Sequence, residues 1–117
     1  MTAYRSAKAT TLALGLGLAA SAVNGAVAAG DVNAGKALAA KCEACHGLDG
    51  ASKIPEAPNI AGQVEPYLVK QLTAFKSGER QNDMMSQIAP ALSENDVADL
   101  AAYYAAIEIK IGRLPGQ

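Results

Sequence analysis

Two thiols and an imidazole sit within five consecutive residues, Cys42 to His46, in the stretch "CEACHG". They are the chain's two cysteines and its single histidine. Three chemistries use such residues. Exported chains form disulfides, and Cys-x-x-Cys is a redox motif of thioredoxin-like folds. That motif sits between a strand and a helix, and no strand pattern precedes Cys42. Structural zinc wants four ligands, whereas only three soft donors are present, crowded together. The third is covalent haem. Thiols three positions apart add to the two vinyl groups of a haem, and the histidine that follows lies under the iron. Cys-x-x-Cys-His is the attachment signal for c-type haem.

The surrounding elements read as helices joined by loops. "NAGKALAAKC", Asn33 to Cys42, favours helix, with Asp31 or Asn33 available as a cap. "HGLDGASKIPEAPNIAGQ" holds Pro55, Pro58 and three glycines after the histidine, with no sustained period, and reads as a long loop. A loop of that length in a small domain is usually functional. A second helix is expected over Glu65 to Ser77. Pro66 suits its first turn and Gly78 its end, and Leu68, Leu72 and Phe75 form one stripe. A second loop, "GERQNDMMSQIAPAL", leads to a last helix starting at Ser93, with Asp96 completing a capping box. Val97, Leu100, Tyr104 and Ile107 make its apolar face, and it is expected to end by Lys110. The fold class is all-α.

The segment 1–29 does not read as part of this domain. Arg5 and Lys8 precede an Ala-, Leu- and Gly-rich apolar stretch that ends in Ala26-Val27-Ala28-Ala29. A basic head, an apolar middle and a small-residue end describe a secretory signal peptide. The alternative is an uncleaved anchor, for which Gly15, Gly17, Ser21, Asn24 and Gly25 make a poor membrane helix. The expected division is therefore 1–29 signal peptide and 30–117 haem domain, with a periplasmic destination. Without Arg5 and Lys8, eight basic residues face eleven acids, a net charge of about −3. No basic stripe is present, which excludes nucleic-acid binding as a class. About 88 residues remain, with four aromatics and no Trp. So small a domain needs a staple to complete its core.

With His46 under the iron, no second imidazole exists for the opposite face. The thioethers available are Met84 and Met85, both in the second loop. A thioether favours the reduced iron and raises the potential. An open sixth position is the alternative.

The chain resembles the small bacterial class I cytochromes c, and in particular one half of the dihaem periplasmic cytochromes of that class. "GDVNAGKALAAKCEACHGLDG", "PNIAGQVEPYLVKQLTAFKSGER" and "NDMMSQIAPALSENDVADLAAYYA" carry the likeness over nearly all of residues 30–117. The resemblance implies helices and loops wrapped around one haem c, held by Cys42 and Cys45 with His46 on the iron. It implies that the Pro58 carbonyl accepts a hydrogen bond from the His46 ring. It implies Met85 rather than Met84 as sixth ligand, because the family's methionine lies seven residues before the leucine opening the last helix, here Leu92. It also makes Gly35 and Tyr103 the close contact between first and last helices. The chain departs from the dihaem pattern in having one haem motif, in its short second loop, and in lacking a ring of Lys and Arg around the expected haem edge.

The function expected is single-electron transfer between redox partner proteins, such as a respiratory complex, an oxidase or a dehydrogenase. No catalytic triad, phosphate loop or paired catalytic carboxylates is visible, and the one histidine is already used. Membrane contact is expected only through membrane-bound partners. The alternatives are a cytochrome subunit held permanently by a dehydrogenase or oxidase, and a haem protein with an open sixth position.

Overall fold

The computed structural model describes residues 28–116. The expected leader lies outside the described residues apart from Ala28 and Ala29. Five α-helices follow one another among the described residues: α1 (Val32–Ala39), α2 (Glu43–His46), α3 (Glu65–Ser77), α4 (Met85–Ile88) and α5 (Glu94–Ala105). A 3-10 turn, Ala89–Ala91, joins α4 towards α5. No strand occurs among the described residues.

The helices α1 and α5 start where a side chain can satisfy their orphan amides. Asp31 caps α1, its carboxylate accepting from the amides of Asn33 and Ala34 at 2.8 Å each. Ser93 and Asp96 form the expected reciprocal box at the start of α5. The Asp96 amide donates to Ser93 Oγ at 3.0 Å, and the Ser93 amide donates to Asp96 Oδ2 at 2.8 Å. The α3 helix has the predicted bounds, with Pro66 in its first turn and Gly78 at φ 81° closing its end.

Two expectations about bounds are corrected. The first helix stops at Ala39 instead of reaching Cys42. There the amides of Lys41 and Cys42 turn to the carbonyls of Leu38 and Ala39, three residues back, and the tightened turn redirects the chain into α2. The second loop is not irregular throughout, since it contains α4 and the 3-10 turn. The last helix ends at Ala105, within the expected limit of Lys110 but short of Ile107, which the spacing placed on its apolar face. The Tyr104 carbonyl accepts the Gly62 amide at 2.8 Å, so a tertiary donor takes the place of the next helical one.

The core is built on α5. Ala39, Leu68, Leu100, Ala101 and Tyr104 form its buried centre, with α1 and α3 packed on the same helix. Val97, Leu100 and Tyr104 are buried as their spacing predicts, and so are Leu68 and Phe75 on α3, while Leu72 is only half-buried. The crossing of α1 and α5 depends on Gly35. A Cβ there would lie 2.0 Å from the Asp99 carbonyl oxygen and 2.7 Å from Tyr103 Cβ. Only a bare backbone permits that approach, and Tyr103 covers it as expected. The Asp31 amide donates to Asp99 Oδ1 at 2.7 Å, fixing the start of α1 onto α5.

Candidate functional site

The short α2 helix carries the motif. Cys42 precedes it, Cys45 lies within it and His46 ends it. Gly47 then turns the chain at φ 73°, where a Cβ would meet Asp49 Oδ1 at 2.3 Å and the Ala51 carbonyl at 2.7 Å. Any L side chain at that position is strained, which accounts for the glycine immediately after the histidine.

His46 Nδ1 lies 2.9 Å from the Pro58 carbonyl oxygen. A carbonyl only accepts, so Nδ1 bears the proton and donates it. The Nε2 lone pair is thereby left as the ring's only free donor to a metal. The loop that presents Pro58 is tied down by its own bonds. The Lys53 amide donates to the Cys45 carbonyl at 2.8 Å, and the amides of Ile60 and Ala61 donate to the Gly50 carbonyl at 2.8 and 3.1 Å. The Ser52 amide donates to Asn59 Oδ1 at 2.7 Å. These bonds answer how so long a stretch without helix or strand stays ordered.

Neither cysteine is in a disulfide. Burial pushes the Cys42 thiol above its ordinary value, with the Tyr104 hydroxyl pulling the other way. Among the described residues, no group of three or more His, Cys, Asp or Glu side chains converges as a metal site would require. The disulfide and zinc readings of the motif therefore find no support.

Met84 and Met85, the candidates for the sixth ligand, are adjacent in sequence but differ in burial. Met84 is 54% exposed, whereas Met85 is half-buried as the first residue of α4. Asn82 places them, since its Oδ1 accepts from both backbone amides at 3.0 Å. Ser86 Oγ in turn accepts the Asn82 amide at 2.9 Å. Sequence reasoning missed Asn82, although an Asn ahead of a short helical turn is a cap signal. It also missed a role for the hydroxyls of Tyr103 and Tyr104, which donate to the carbonyls of Leu48 and Gly47. Nothing local announces those bonds, because each joins α5 to a turn far back along the chain.

The residues present fit a haem. The donor set is two free thiols and an imidazole with one nitrogen committed to Pro58. Leu48, Ile60, Leu72 and Leu92 pack against the core yet remain partly accessible, apolar surface of the kind that a flat aromatic ring would cover. No buried charged or polar side chain would oppose it among the described residues.

The "Cytochrome c" family model matches residues 32–106, and the chain belongs to the cytochrome c family. Haem c in this family is covalently bound, and Cys42 and Cys45 have the spacing for it. Cytochrome c4 of Pseudomonas aeruginosa is 48% identical over 85 residues, covering 73% of this chain and 42% of that protein. Cytochrome c-554(548) of Halomonas halodenitrificans is 41% identical over 83 residues, covering 68% of this chain and 100% of that protein. The crystal structure of reduced recombinant cytochrome c4 from Pseudomonas stutzeri superposes with a TM-score of 0.66 at 40% identity, covering 72% of this chain and 49% of that one. The chain thus spans less than half the length of these cytochrome c4 relatives, and its fold is theirs over one haem-domain length.

Proposed function

We propose that the chain is a periplasmic, monohaem electron-transfer protein with His46 and Met85 as axial ligands. The observation that carries this reading is the His46 ring, whose Nδ1–H is held by Pro58 so that Nε2 alone remains to bind iron. A bound haem c supplies a one-electron ferric/ferrous couple. Cys42 and Cys45 would hold it through their thiols. Pro58 orients the imidazole and raises its basicity. Asn82 holds the turn that carries Met85, and the thioether favours the ferrous state. His46 and Met85 would together leave a substrate no place on the metal.

Export is inferred from the leader-like segment 1–29. Among the described residues, no helix is long and apolar enough to cross a membrane. The partners are redox proteins: a respiratory complex, an oxidase or a dehydrogenase.

An optical and redox titration of the exported protein tests the ligand set. The expected result is a low-spin ferric spectrum with the weak long-wavelength sulfur–iron band and a single one-electron wave. A high-spin ferric form would contradict it and identify an open sixth position. A second reading, a subunit held permanently in a larger enzyme, is favoured by exposed aliphatic side chains near the C-terminus, where Ile109 is 55% and Ile111 is 78% exposed. A monodisperse monomer on size exclusion argues for the free carrier, and self-association through those side chains argues for the subunit.

A further inference from the structure

Two hydroxyls on α5 reach the turn that follows His46. Tyr103 donates to the Leu48 carbonyl at 2.8 Å, and Tyr104 donates to the Gly47 carbonyl at 3.2 Å. The two acceptors are the consecutive residues after His46. The two rings brace each other edge-on, with centroids 5.1 Å apart and planes at 63°. The Tyr104 backbone acts on the same loop, its carbonyl accepting the Gly62 amide at 2.8 Å. One residue therefore holds both ends of the segment 47–62, and Pro58 lies inside that segment.

A buried tyrosine hydroxyl needs some partner, and Tyr104 is only 3% exposed. That requirement does not explain Tyr103, whose half-buried hydroxyl has water as an alternative. Neighbouring side chains on a helix diverge by about 100°, yet both of these converge on adjacent carbonyls. Gly47, with its left-handed backbone, turns those carbonyls to where α5 can meet them.

We propose that Tyr103 and Tyr104 are positioning residues for His46. Their hydroxyls fix the turn after the ligand, and Tyr104 fixes the loop that offers the Pro58 carbonyl to Nδ1–H. This inference rests on the reading of His46 as the iron's ligand. Removing the hydroxyls loosens the His46–Pro58 bond, which makes the imidazole a weaker donor. A weaker donor stabilises ferric iron less, so the reduction potential rises.

The test compares the haem-loaded parent with Tyr103→Phe, Tyr104→Phe and the double variant, each keeping its rings. Ser93→Ala is the control, because it weakens the α5 cap without touching either hydroxyl. The readouts are the reduction potential and the exchange rate of the His46 Nδ1 proton by NMR. The expected result is retained haem and low-spin absorption, a raised potential, and proton exchange several-fold faster, largest in the double variant. Unchanged potential and exchange in all three Phe variants would overturn the inference. So would a Ser93→Ala shift as large as theirs, because the effect would then be general loosening of α5. If Tyr104→Phe fails to load haem, Tyr103→Phe decides by the same two readouts. A parent lacking the low-spin band fails the ligand assignment itself, and this inference with it.

Discussion

The two sides of the proposed site are built differently. On the histidine side, His46 donates to Pro58, the following two carbonyls are held by α5, and the loop is laced by backbone bonds between Gly50, Ile60 and Ala61. The two hydroxyl bonds reach across the chain from α5, and the others close the loop on itself. On the methionine side, the bonds are local: Asn82 caps the amides of Met84 and Met85, and Ser86 and Gln87 bond back to Asn82 and Asp83. Met84 stands open to solvent beside them. A ligand tied into the core keeps its geometry when the oxidation state changes. The proposed ligand on a four-residue helix would depend on a single short turn, so the methionine side is where opening or exchange of a ligand is expected first.

That contrast can be broken from the covalent end. Replacing Cys45 by Ala removes one of two attachments and should lose most of the firmly held haem, measured as absorbance retained by the denatured chain. The thin protein core should then melt earlier.

The methionine side is next. Met85→Ala should abolish the low-spin form and lower the potential, whereas Met84→Ala should leave both nearly unchanged. The reverse pattern would transfer the ligand role to Met84. Asn82→Ala should sharpen the comparison, costing about 1 kcal/mol as caps do and increasing ligand exchange at Met85 without affecting the His46 proton.

The support beneath the histidine side can be tested at the helix crossing. In Gly35→Ala, helix propensity favours the variant by about 1 kcal/mol. The added Cβ, placed 2.0 Å from the Asp99 carbonyl, forces α1 off α5, and such overpacking costs about 3 kcal/mol. The clash wins, and thermal melting should show a net loss of about 2 kcal/mol.

The smallest effect concerns pH. The Ser93 backbone and hydroxyl hold the Asp96 carboxyl below its usual range. A depressed carboxylate contributes its stability above the ordinary value and loses it as pH falls through the folded one. Asp96→Asn should therefore flatten the acid limb of the stability curve while leaving the redox titration alone.

Legibility followed the range of the interactions. The motif at Cys42, Cys45 and His46, the α3 bounds and the Ser93–Asp96 box were readable because each is a local pattern. The Gly35–Tyr103 contact and the Pro58 hydrogen bond were expected only through family resemblance, since neither partner marks the other in sequence. The break at Ala40 was hidden by good helix formers on both sides. The early end of α5 was hidden too, because its cause is Gly62, at the far end of the preceding loop and helix. The tyrosine hydroxyls looked like ordinary core and helix-crossing residues until their carbonyl partners were seen.

The central claim is that a haem is bonded through both thiols of the motif. It is tested most directly by denaturing the exported protein, extracting with acidified solvent and alkylating the thiols. The account predicts that the Soret-absorbing pigment stays with the chain and that neither Cys42 nor Cys45 takes up the reagent. Pigment passing into the solvent, with both cysteines alkylated, would contradict it.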